Sequence, residues 1–116
     1  MLSRSLDHGV LVVTVHEDPG TGLRVEFTAQ VRDLVRAHEP TPVVVVIDEA
    51  AATPGVVRAL VDAFGECGDL GVLASVATHS ASARRLFEVA ADRGGSRLVV
   101  HSRIDVAVTT AYTVTA

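Results

Sequence analysis

Thr53 sits between the acids Asp48 and Glu49, which end an apolar run, and Pro54-Gly55, which open a helical pattern. A hydroxyl there lies at the mouth of a helix, where any negative charge placed on it would be tolerated by the positive helix end but not by a partner facing that surface. The same residues also make an ordinary helix start, with threonine as N-cap and proline at the first helical position. Asp48 and Glu49 could form a paired acid, yet no His, Ser or Lys lies at a sequence spacing that completes a catalytic set. Solvated strand-end carboxylates are the expectation, and without a base Thr53 is not expected to be an enzyme's nucleophile.

His8, His16, His38, His79 and His101 are scattered without ligand-like pairing, so neither a metal nor a cofactor is expected. His79, after the fourth strand in the inferred order, falls on the sheet edge expected for Thr53 and could tune a partner contact with pH. Cys67 reads as a small buried hydrophobe near a helix end. Gly65, Gly68 and Gly71 lack the strand-glycine-helix context of a nucleotide loop.

The elements that must position these groups follow from periodicity. Val43 to Ile47 is five branched aliphatics in succession, which suits a strand buried on both faces at the centre of a parallel sheet. Helices should therefore cover that sheet, and function should gather at the loop from Asp48 to Gly55, at the carboxyl end of the strand. Gly9 to Val15 reads as an earlier strand, bounded by the turn Asp18-Pro19-Gly20, with a short second strand at Leu23 to Phe27. A helix runs from about Thr28, with Val31, Leu34 and Val35 on one face, and ends before Pro40. After the Val-rich strand come a helix from Pro54 to about Cys67 and a strand at Val72 to Ala77. The next helix starts at Ser80 or Ser82, carries Ala83, Leu86, Phe87 and Ala90 inward, and stops at Gly94-Gly95. A strand at Arg97 to His101 and a helix at Ile104 to Ala111 close the chain. The order is β-β-α-β-α-β-α-β-α: one compact α/β domain spanning residues 1–116, with a mixed, mostly parallel sheet covered by helices.

That order, with the stretches Ala52-Thr53-Pro54-Gly55, Ser80 to Val89 and His101 to Val108, resembles the STAS family, the anti-sigma-factor antagonist domains of bacteria. In that family the first serine of an Asp-Ser-Ser-Gly-like motif is phosphorylated by an anti-sigma-factor kinase, and Thr53 falls on that position. The resemblance implies a non-enzymatic regulatory module that binds an anti-sigma factor or serine-kinase-like regulator and thereby releases a sigma factor. It implies a docking surface from Thr53, Pro54, Gly55, Val56 and Arg58 together with Thr78, His79, Ser80 and Ser82. This chain departs from the motif: Ala52 replaces the acid, Pro54 the second serine, and the loop from Asp48 to Gly55 is shorter. Pro54 removes a backbone donor and fixes one dihedral beside the hydroxyl, so a standard switch kinase is expected to lose this site. Two other readings of the same fold are a sensor that holds a nucleotide or other anion at the amides near Gly55, and a structural subunit with no switch.

At 116 residues and 48% hydrophobic content the chain can bury one core without disulfide staples, and 3% aromatic content makes that core aliphatic. All ten basic residues are arginines dispersed along a chain of net charge −4, so nucleic acid is not an expected partner. The single cysteine excludes an intramolecular disulfide, and no run is long enough for a membrane span, so the expectation is a cytoplasmic protein with no membrane contact. A homodimer is left open.

Overall fold

Strand β3, Val43–Ile47, buries all five of its side chains. Its odd-numbered residues, Val43, Val45 and Ile47, enter one core, while Val44 and Val46 enter a second core on the other face. This is the two-sided burial that an unbroken β-branched run requires. The computed structural model describes residues 2–38, 41–66, 74–94 and 99–115.

Around β3 the sheet has five strands in the order β1-β2-β3-β4-β5, with β1 at Leu2–Asp7, β2 at Val10–Val15, β4 at Ala74–Thr78 and β5 at Val99–His101. Strand β1 is antiparallel to β2, and the other pairings are parallel. Helices α1 (Arg24–Ala37), α2 (Pro54–Glu66) and α3 (Ala81–Gly94) make the three crossovers. All three contribute to the larger core, through Phe27, Val31 and Val35, through Val56, Leu60, Ala63 and Phe64, and through Ala83 and Phe87. Three helices on one face of consecutively ordered strands give crossovers of one hand. Helix α4, Ile104–Thr115, returns across the opposite face and packs Ala107, Val108 and Ala111 against Val10, Val44, Val46 and Ala77. Because the strand order never reverses, the sheet has no topological switch point, and every βα loop leaves from the same edge.

The element order is the expected one, but the opening hairpin lies elsewhere. Leu23 to Phe27 is not a strand: a 3-10 turn over Thr21–Leu23 runs directly into α1 at Arg24. The alternation Leu-Arg-Val-Glu-Phe imitates a strand, but only Phe27 of its apolar residues is buried, and it starts the helical series Phe27, Val31, Val35. The true partner of β2 is β1, whose side chains beyond Leu2 are all exposed. A polar edge strand leaves no hydrophobic signal to read. The connection is the two-residue turn His8-Gly9, with φ of 52° and 77°, the positive values that a tight hairpin of right-handed twist needs.

On α3, Leu86 is exposed where burial was expected, while Ala83 and Phe87 are buried in the core and Ala90 is half-buried. Cys67, Gly68, Gly71, Val72, Gly95 and Arg97 lie outside the described residues. Among those described, no helix is long and apolar enough to cross a membrane.

Leu60 is fully buried where α2 meets the sheet and its neighbouring helices. Leu60→Ala is expected to cost about 2–5 kcal/mol, read as a lower urea midpoint with an unchanged slope.

Candidate functional site

The loops that follow β2, β3 and β4 meet at the carboxyl edge of the sheet. After Val15 the chain runs through Asp18-Pro19-Gly20, where Asp18 Oδ1 accepts the Gly20 amide at 2.8 Å and shapes the turn. After Ile47 a single 3-10 turn, Glu49–Ala51, drops buried Ala51 into the core and delivers Thr53 to the start of α2. The two loops are joined by one short bond, as Thr53 Oγ1 donates to Asp18 Oδ2 at 2.7 Å. The same oxygen accepts the Val56 amide at 3.3 Å, and the Thr53 carbonyl accepts the Val57 amide at 3.1 Å. Thr53 is thus the N-cap of α2 and at the same time the tie that holds the β2–α1 loop to it.

Arg24 completes the cluster. Its guanidinium lies 3.6 Å from Asp18 Oδ2 and passes directly over Gly55, so closely that a Cβ built there would fall inside it. Glycine at this position leaves the space that the Arg24 guanidinium occupies. The Asp18 carboxyl is held below its ordinary value of 3.8, first by the Gly20 amide, then by the Thr53 hydroxyl, with Arg24 adding a smaller attraction. In the rival reading of an anion held near Gly55, the Arg24 guanidinium beside Asp18 lies over that place.

The second part of the edge follows β4. Ser80 caps α3, its Oγ accepting the Ala83 amide at 3.2 Å and its carbonyl accepting the Arg84 amide at 3.0 Å. Ser82 Oγ stands 3.2 Å from Ser80 Oγ, and Arg84 reaches back to donate to the Thr78 carbonyl at 2.9 Å. Of the two proposed starts for this helix, Ser80 is the cap. The register Ile47↔Thr78 puts the two loops side by side, so Thr53 to Arg58 and Thr78 to Ser82 share one edge.

Not every residue of the expected docking surface presents a side chain there. Val56 is 0% and Thr78 3% exposed; the first belongs to the core, and the second spends its hydroxyl accepting the Ser80 amide. These two hold the surface from beneath. Pro54, Arg58, His79 and Ser82 are exposed, whereas Thr53, Gly55 and Ser80 are half-buried. His79 borders a cleft of about 290 Å³ between the ends of β3 and β4 and the start of α4, into which Asp48, Glu49 and Ser102 also face.

Sequence reasoning missed Asp18 as the partner of Thr53 and Arg24 as the partner of Asp18. Asp18-Pro19-Gly20 was legible as a turn, but nothing in the spacing connects it to a threonine 35 residues later. It likewise left Asp48 without a partner, whereas His16 Nδ1 lies 3.0 Å from Asp48 Oδ2. Comparison with protein-family models and with curated proteins finds no match for this chain.

Two outcomes follow from the cluster. A carboxyl whose folded value is depressed stabilises the fold above its unfolded value, and that contribution disappears as pH falls through the folded one. Wild type should therefore lose more stability than Asp18→Asn as pH drops from 5 through about 3.8 and below, in paired urea titrations at each pH. Gly55→Ala should displace the flexible Arg24 guanidinium yet change stability by less than about 1 kcal/mol, because the helix-propensity gain offsets a weak, partly solvated ion pair.

Proposed function

We propose that this domain is a regulatory protein-binding module whose docking surface is the loop edge around Thr53, and that Thr53 is its phosphoacceptor. The reading rests on the resemblance to anti-sigma-factor antagonist domains, and its partner would be an anti-sigma factor or a serine-kinase-like regulator. The observation that carries it is the double engagement of one hydroxyl, as cap of α2 and as donor to Asp18.

Phosphorylation removes the hydrogen that Thr53 gives to Asp18 and sets a doubly charged group against that carboxylate. The cap can be replaced, since phosphate oxygens also accept helix amides. The tie to Asp18 cannot, and Arg24 stands close enough to turn from the carboxylate to the phosphate. Modification would then loosen residues 16–23 from α2 while the core beneath stays packed. Exposed Leu23 ends that segment and Arg24 and exposed Val25 follow it at the start of α1, so its release would alter both the charge and the apolar contour offered to a partner. Access also sets a demand on the kinase, because the half-buried Thr53 must leave Asp18 before its oxygen can attack a nucleotide phosphate.

The test is a pull-down with tagged protein from lysate of the source organism, with mass spectrometry of the bound proteins and of the Thr53 peptide. Enrichment of a serine-kinase-like anti-sigma factor by wild type, weakened at least tenfold by Thr53→Asp and by Arg58→Glu but retained by Thr53→Ser, is the expected result. Equal binding by Thr53→Asp would remove Thr53 as the switch, and no enrichment of that class would overturn the module itself.

A further inference from the structure

Ser3, His16 and Asp48 come from three adjacent strands and meet at one corner of the sheet. The register sets them on one face: Ser3 pairs with Thr14 and Thr14 with Val46, and His16 and Asp48 follow those two by the two-residue period of a strand. The Asp48 amide donates to the Val15 carbonyl at 3.0 Å, carrying the β2–β3 ladder one step past Ile47 and fixing Asp48 beside His16. Within that frame His16 Nδ1 lies 3.0 Å from Asp48 Oδ2, and His16 Nε2 lies 2.5 Å from Ser3 Oγ. The three groups are aligned through the two different nitrogens of one imidazole.

The alignment has a chemical polarity. The Asp48 carboxylate only accepts, so the shared proton rests on Nδ1, and the Nε2 lone pair faces the Ser3 hydroxyl. A hydroxyl, a base in reach of its proton and a third group orienting that base are the requirements for an activated serine nucleophile. Helix α4 covers this face of the sheet over Val10, Val44, Val46 and Ala77 but leaves the corner open, and the His16 and Asp48 side chains keep 46% and 48% exposure.

We propose that Ser3 is a nucleophile activated by His16, with Asp48 as the positioning residue, and that the corner accepts acyl groups from activated esters. Ser3 Oγ attacks the carbonyl carbon and forms the new C–O bond while its proton passes to His16 Nε2. The bond to the leaving group breaks, and that group departs with the electron pair and takes the proton from His16. Water, deprotonated by His16, then attacks the acyl-Ser3 ester, releasing the carboxylic acid and restoring the hydroxyl. The corner is an open edge rather than an enclosed cavity, so the developing oxyanion faces water. The substrate must supply a good leaving group, which selects aryl esters and acyl thioesters over alkyl esters and amides.

The full chain treated with a fluorophosphonate, whose fluoride leaves as serine oxygen bonds to phosphorus, tests this by peptide mass spectrometry. Ser3 should gain the phosphonyl group at least tenfold faster than Ser5, an equally exposed serine two residues along the same strand and face. His16→Ala should slow Ser3 labelling about 100-fold or more, the usual contribution of a positioned general base. Asp48→Asn should slow it, Asp48→Glu should retain most of it, and Ser3→Ala should abolish both the label and the burst of nitrophenol from p-nitrophenyl acetate. Labelling of Ser3 no faster than Ser5 in the wild-type protein, a comparison that needs no variant to fold, would make the three residues a hydrogen-bonded tie between strands and overturn the proposal. So would unchanged labelling in folded His16→Ala protein.

Discussion

Strand β3 has no face toward water, and that constraint arranges the rest of the molecule. Its five side chains divide between two cores, so apolar helix surface must be supplied on both sides of the sheet. Helices α1, α2 and α3 meet the larger share on one side as crossovers. The other side has no crossover to cover it, and α4, with Ala107, Val108 and Ala111, closes it only because the chain turns back after β5. The small residues of α4 let its backbone lie close over the strands. Removing β3 from the centre would leave neither core with a floor.

The same constraint explains why the chemistry gathers where it does. Parallel strands joined by helices on one face deliver every βα loop to one edge, so Asp18, Thr53, His79 and Ser80 become neighbours despite wide separation in the chain. At that edge the polar groups hold one another. Asp18 is satisfied by an amide and a hydroxyl, the hydroxyl also caps a helix, and Arg24 lies across the glycine that makes room for it. Ser3, His16 and Asp48 belong to the same carboxyl edge, where the register of β1, β2 and β3 aligns them at the start of the loops that carry Asp18 and Thr53.

Thr53-Pro54 was legible as a helix start because capping is a local bargain between a side chain and the next three amides, and those residues are contiguous. Leu23 to Phe27 was misread because five residues of alternating polarity fit either period, and only the later Val31 and Val35 decide the matter. Strand β1 left no trace, since an edge strand with exposed side chains is held by backbone bonds to β2 that no side-chain pattern reports.

The sequence alone determined the class of fold, the buried centre at Val43 to Ile47 and the helix opening at Thr53. Each is a property of neighbours within a few residues, or of apolar area that must be buried somewhere. Only the tertiary structure decided the partners of the polar groups: Thr53 and Arg24 for Asp18, and Asp48 and Ser3 for His16. Hydrogen bonds act over about 3 Å, and pairs separated by 13, 32 and 35 residues come within that range only when strand order and register are already set.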